Sequence, residues 1–182
     1  MDSINKNRPE DNHQDLAGGP AIQKIQELVK QAPTCFLCTS LTPKSTTNKR
    51  FETRPMAVQQ VDDAGCVWFL SSSDSAHNAE ITKDAAVQLL FQGSPHSEFL
   101  TLYGSATIGR DKAKIKELYE PIMRTWFTGG VDDPRITTIC VQPTQGYYWD
   151  TKHNRAIAFA KMVVGAITGK TLDDSIEGVL RV

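Results

Sequence analysis

A chain of 182 residues, 40% hydrophobic and 23% charged with a formal net charge of -1, has room for one good core and little need of a second. The near-zero charge offers no basic face for nucleic acid or an anionic membrane, and no apolar run approaches the roughly 18 residues of a membrane span. The first twenty residues, MDSINKNRPEDNHQDLAGGP, lack the apolar centre of a secretory signal, so the expected location is cytoplasmic and the four cysteines are expected to be reduced thiols.

Residues 1–19 read as a disordered polar tail and residues 20–182 as a single domain. Ala21–Gln31 places Ile22, Ile25, Leu28 and Val29 on one helical face, opened by Pro20 and closed by Pro33. Residues 34–41 form the first strand, and 42–52 a polar, mobile connection. In Thr53–Val61 a period of two puts Arg54, Met56 and Val58 on one face and Pro55, Ala57 and Gln59 on the other. Pro55 cannot donate to a ladder, which assigns it to an edge or a bulge. A turn at Asp62–Gly65 then predicts a hairpin with Val67–Ser71.

Asp74 or Ser75 caps a helix predicted from about Ala76 to Lys83, and Ala86–Gln92 follows as a buried strand. Glu98–Ile108 is a long strand whose Gly104 marks a bulge or a bend. Asp111–Trp126 reads as helical and is divided by Pro121. Two strands, Arg135–Gln142 and Gly146–Trp149, are separated by Pro143, and His153–Gly165 is a closing amphipathic helix bearing Ile157, Ala160 and Val164 on one side. Six or so strands in largely antiparallel succession, with glycine bends and helices at the ends, predict a mainly β fold: a small closed or split antiparallel barrel with flanking helices.

The chemistry-bearing residues concentrate between Thr53 and Gln92. Arg54, the hydroxyls of Ser71, Ser72, Ser73 and Ser75, and the amides of a new helix form a candidate cradle for a phosphate monoester. His77 could donate a hydrogen bond to such an anion or carry charge beside it, although a lone histidine is as often a solvated surface residue. Trp126 and Trp149 each end an element beside a polar turn, where either ring stacking or plain burial accounts for them. Cys35 and Cys38 form C-x-x-C within a strand, where three residues of separation sends the side chains to opposite faces, so they read as small apolar residues and not as a metal or dithiol site. No Ser/His/Asp arrangement, carboxylate pair or dinucleotide fingerprint stands out, so any redox chemistry would come from a bound cofactor.

In order along the chain stand T-R-P-M-A at 53–57, F-L-S-S-S-D-S-A-H at 69–77, L-L-F-Q at 89–92, L-Y-G-S-A at 102–106, W-F-T-G-G-V-D-D-P at 126–134 and Y-Y-W-D at 147–150. Together they resemble the pyridoxamine 5'-phosphate oxidase-like, FMN-binding split-barrel superfamily, in its general stress protein 26 branch, over about residues 20 to 170. The resemblance implies a six-stranded split β-barrel and a homodimer with FMN in clefts between subunits. It implies that Arg54 holds the FMN phosphate, that Pro55, Met56 and Ala57 line the isoalloxazine, and that Phe69, Leu70, Ser71, Ser72 and Ser75 complete the site. It further implies that Trp149 reaches the flavin from the other subunit, with Trp126 as a second candidate.

Two departures stand out against that family. His77 lies where a phosphate-pairing lysine is usual, giving one donor in place of a charge and three. The stretch K-H-N-R-A-I-A-F at 152–159 lacks the Arg-x-His-type substrate motif, which makes vitamin B6 oxidation the weaker alternative. The expected function is an FMN-dependent oxidoreductase of stress physiology acting on a small-molecule redox substrate. The alternative is a flavin-binding or flavin-sensing protein without turnover, and weaker still is a dimeric scaffold whose cleft His77 has emptied.

Overall fold

The structure, a computed structural model, describes residues 12–39, 52–94, 97–152 and 174–182. The expected connection at 42–52, apart from Glu52, which opens a strand, and the expected closing helix His153–Gly165 lie outside the described residues.

Among the described residues nine strands form one sheet: β1 (Leu16–Ala17), β2 (Thr34–Thr39), β3 (Glu52–Ala57), β4 (Gln60–Val61), β5 (Val67–Ser72), β6 (Ala86–Gln92), β7 (Phe99–Gly109), β8 (Ile136–Thr151) and β9 (Ser175–Arg181). The helices are α1 (Gly19–Gln31), α2 (Ala76–Lys83) and α3 (Lys112–Leu118), with short 3-10 turns at Pro121–Thr125 and Gly130–Asp132. The fold is mainly β, a split antiparallel barrel with peripheral helices. Its path runs β1-β9-β8-β7-β6-β2-β3, and β5 joins β8 from the side, bringing β4 with it. One pair, β1 with β9, is parallel.

The 16-residue strand β8 explains the branching. Along one edge it pairs with β7 from end to end; along the other, residues 136–141 pair with β5 and residues 145–151 with β9. The predicted break at Pro143 is thus absent: the strand continues through it and answers with a shift of register beside Tyr103 and Gly104. At Gly104 a Cβ would lie 2.2 Å from the Gln142 carbonyl oxygen, so the bulge admits only glycine.

The predicted hairpin is half right. Gln60–Val61 pairs with Val67 and Trp68 across the Asp62–Gly65 turn, but Glu52–Ala57 pairs with β2. The chain changes partner at Val58 and Gln59, whose amides donate to Pro33 and Trp68 carbonyls respectively. The turn is held by Asp62, whose carboxylate accepts from the amides of Ala64 and Cys66 and, at 2.7 Å, from Trp68 Nε1. Gly65 supplies the positive φ of 80° that the turn requires. Strand β3 ends the path, which places Pro55 on an edge as expected.

The tail expected to run to residue 19 instead contributes to the sheet from residue 13 onward. His13 bridges to Glu177, Leu16–Ala17 lies along β9, and the Tyr148 hydroxyl donates to the Gln14 carbonyl at 2.9 Å. Polar composition concealed this because backbone groups make the contacts. The core is built from α1 (Ala21, Ile25, Leu28) and the inward positions of the strands: Leu37, Val67, Phe69, Leu89, Leu100, Leu102, Ile139 and Tyr148. A smaller cluster of Ile115, Met123, Phe127 and Ile136 seats α3 and the first 3-10 turn.

The cysteines correct one expectation and support another. Cys66, immediately before β5, and Cys140 of β8, with Cα atoms 5.9 Å apart, form a disulfide where reduced thiols were expected. Their spacing of 74 residues hid the pair, since only the β5–β8 ladder brings them together. Cys35 and Cys38 are free, buried and on opposite faces by the alternation of β2; burial pushes the Cys35 thiol up to about 12, as befits an inert apolar residue.

Candidate functional site

Alternation along β2 and β3 divides the predicted site between two faces of the sheet. Arg54 lies opposite Leu37, so it shares the inward face with Leu37 and Thr39; Pro55 lies opposite Phe36 and shares the outward one.

On the inward side, at the open end of the core, a polar cluster surrounds the start of α2. Ser75 caps that helix, its side chain accepting from the Asn78 amide at 3.4 Å. The end of β5 brings in Ser71, which is buried and crowded: its Oγ lies 3.1 Å from Asn78 Oδ1, 3.2 Å from Ser75 Oγ and 2.5 Å from His77 Nε2. The valences of these groups settle the proton positions. Asn78 Nδ2 donates to Thr137 Oγ1, so its Oδ1 faces Ser71 and can only accept; the single Ser71 proton goes there. Ser71 Oγ therefore accepts from His77, which carries its proton on Nε2, and Ser71 is not a nucleophile activated by a histidine base. Burial, followed by the neighbouring Arg54 charge, holds His77 below its ordinary value of 6.5 despite the opposing pull of Glu80.

Arg54 reaches this cluster from β3. Its guanidinium makes a two-pronged pair with Glu80 of α2, with Nη1 to Oε2 and Nη2 to Oε1 both at 2.8 Å, and Nη1 also donates to Thr39 Oγ1 at 3.1 Å. Thr39 in turn donates to Glu80 Oε2 at 2.6 Å. Burial raises the Glu80 pKa, but the bonds from Thr39 and Arg54 and the Arg54 charge outweigh it, leaving the carboxyl below its ordinary value. The donor set suits an oxyanion: a fork of guanidinium N–H groups already grips two carboxylate oxygens, with hydroxyls and an imidazole N–H nearby.

The outward face is different in kind. Phe36 (52% exposed), Tyr103 (46%), Leu90 (39%) and Trp149 (36%) lie open there. A cleft of about 620 Å³ runs among them, lined also by Pro55 and Phe99. Trp149 packs against Tyr147 with ring centroids 4.6 Å apart.

Of the predicted residues, then, Arg54, Ser71, Ser75 and His77 come together, and Pro55 and Trp149 line the same cleft on the other face. Phe69 is fully buried in the core, Met56 packs against it, and Leu70 packs on the second cluster. Ser72 bonds Asp74, Ala57 is exposed at the end of β3, and Trp126 is exposed after the first 3-10 turn. Sequence reasoning missed Thr39, Asn78, Glu80 and Thr137. Glu80 was detectable, because it follows His77 by three residues and so shares its helix face.

The split barrel with flanking helices is a fold shared with known proteins. A family model described as "Pyridoxamine 5'-phosphate oxidase like" matches residues 20–173, and the chain belongs to that family. Protein bli-3 of Neurospora crassa is 24% identical over 160 residues, 83% of this chain and 76% of that protein. Among solved structures, a general stress protein 26 of Jannaschia sp. CCS1 superposes with a TM-score of 0.69 at 18% identity, over 88% of this chain and 97% of that one. A protein described as a general stress FMN/FAD binding protein, from Xanthomonas citri, superposes with a TM-score of 0.55 at 24% identity, over 68% and 82% respectively. No helix among the described residues is long and apolar enough to cross a membrane.

Proposed function

We propose that the protein binds FMN as a homodimer and serves as a flavin-dependent oxidoreductase of stress physiology in the cytoplasm. The observation that carries this reading is the Arg54 fork beside Ser71, Ser75 and His77, a donor set for one phosphate monoester. The FMN/FAD binding recorded for the Xanthomonas citri protein of the same fold supports a flavin.

The two-faced arrangement argues for two copies. Arg54 and Trp149 project from opposite faces of one sheet, so a single chain cannot offer both to one ligand. A second copy seated on the outward face up to the β3 edge would cover Phe36, Leu90 and Tyr103 and bring its own Trp149 to that edge, round which a ligand held at Arg54 could reach it. Pro55, Met56 and Ala57 would then follow the ring edge along β3, Ser72, Phe69 and Leu70 would support the cluster from β5, and Trp126 would be the outlying contact.

Bound flavin would supply hydride or electron transfer. The chain's part is to hold the phosphate at Arg54 and the Ser75 hydroxyl, with the His77 Nε2 proton turning from Ser71 to the ligand on binding, and to exclude water by closing the apolar face. A flavin-binding role without turnover is favoured by one feature: Glu80 is engaged by Arg54 and the Ser71 proton by Asn78, so neither is free to move a substrate proton.

The first test is an absorbance spectrum of the purified protein with and without FMN. Perturbed flavin bands with quenched fluorescence are expected, and a protein that ignores FMN would end the flavin reading. Turnover with a nicotinamide donor and oxygen or a quinone separates oxidoreductase from binder.

A further inference from the structure

The acid in the cluster has a role that the cradle alone does not need. We propose that Glu80 is a built-in competitor for the anion site: its carboxylate occupies the two guanidinium arms of Arg54 that a phosphate monoester would take. The site then admits its ligand only when this ion pair opens. The proposal rests on the reading of Arg54 as the phosphate holder.

Three observations converge on it. The pair is two-pronged, both contacts measuring 2.8 Å, so Glu80 meets the same planar fork that a phosphate would meet. The Thr39 hydroxyl, donating to Oε2 at 2.6 Å from a fully buried residue, holds the carboxylate in place. And the charges cancel. Arg54 is positive, Glu80 negative, and His77 is held neutral near pH 7 by burial and by Arg54, so the cluster offers a dianion no net attraction. With a lysine at position 77 the balance would be positive; with histidine it is nil. Both side chains of the pair retain about a fifth of their exposure (22% and 21%), so a competing anion can reach the fork from solvent.

Glu80→Gln keeps the size and one acceptor oxygen but removes the charge. Binding of FMN and of riboflavin, which lacks the phosphate, is measured by flavin fluorescence for wild type, Glu80→Gln and Arg54→Ala, with melting temperatures to verify folding. Glu80→Gln should tighten FMN by on the order of tenfold and leave riboflavin unchanged. A wild type that binds no FMN overturns the reading on which the competitor rests. Unchanged or weaker FMN binding in Glu80→Gln, with Arg54→Ala still weakening it, overturns the competitor while leaving the phosphate assignment intact. FMN and riboflavin binding alike in wild type and in Arg54→Ala overturns the phosphate assignment itself. Should Glu80→Gln fail to fold, Thr39→Val tests the same point. It removes the hydroxyl that holds the carboxylate at nearly constant volume, and FMN binding that does not tighten would overturn the proposal.

Discussion

The inward and outward faces of β2 and β3 are made from adjacent residues of the same strands, yet they are chemically unlike. Inward, Leu37 is fully buried, and beyond it Thr39, Arg54 and Glu80 close a charged network. Outward, Phe36 is 52% exposed and sits with Leu90 and Trp149 along an open cleft. A polar network with every partner assigned is finished within one chain. An apolar face left in water is not. The charged half of the proposed site is built within one chain, whereas the aromatic half is left open by it.

The largest expected effect contrasts neighbours on one strand. Leu37→Ala should cost about 2–5 kcal/mol of stability in urea denaturation, whereas Phe36→Ala should stay within about 0.5 kcal/mol for an uncovered chain. A Phe36→Ala cost that grows with protein concentration would reveal the covering copy. Next, Arg54→Ala should weaken FMN by about 1.5–3 kcal/mol, roughly 10- to 150-fold, in a fluorescence titration, because charge-assisted bonds to the phosphate are lost. Unchanged binding would detach the inward cluster from the ligand. Leu90→Glu, which places a charge on the outward face, should raise the dimer dissociation constant by about tenfold or more in sedimentation. A variant that sediments like wild type would show that this face is not the interface.

The smallest effect concerns pH. His77 is faced by Arg54 from β3, Glu80 from its own helix and Ser71 from β5, and its pKa is lowered in the folded chain, by burial first and then by Arg54. Between the folded value and the ordinary 6.5, the unfolded chain binds the extra proton, so stability rises with pH through that interval. The His77 contribution is therefore complete above 6.5 and is lost as pH falls through the folded value. His77→Gln should flatten the slope of unfolding free energy over about pH 7.5 to 5, and an unaltered slope would place the proton elsewhere.

Some of this was legible beforehand. The Ala76–Lys83 helix capped by Asp74 or Ser75, an edge or bulge at Pro55 and a bulge or bend at Gly104 follow from local rules about donors, caps and missing side chains, and the fold takes Ser75, the edge and the bulge. Partner choice was harder. The hairpin rule pairs what a turn connects, and it succeeded for Gln60–Val61; the same strand direction was broken at Val58–Gln59 by carbonyls of Pro33 and Trp68, which no local pattern announces. Strand β9 was missed because Ser175–Arg181 alternates weakly and makes its ladder with a strand some thirty residues earlier.

By itself, then, the sequence determined the periods: which residues of each strand share a face, where helices begin, and which motifs resemble the pyridoxamine 5'-phosphate oxidase-like family. Tertiary structure decided the pairings that cross long stretches of chain. It joined Cys66 to Cys140 and set Glu80 on Arg54. It also drew part of the expected tail onto β9 and put Arg54 and Trp149 on opposite sides of one sheet. The reason is physical: periodicity is fixed by the geometry of the local backbone, whereas a contact between distant residues exists only once the strands between them have found their neighbours.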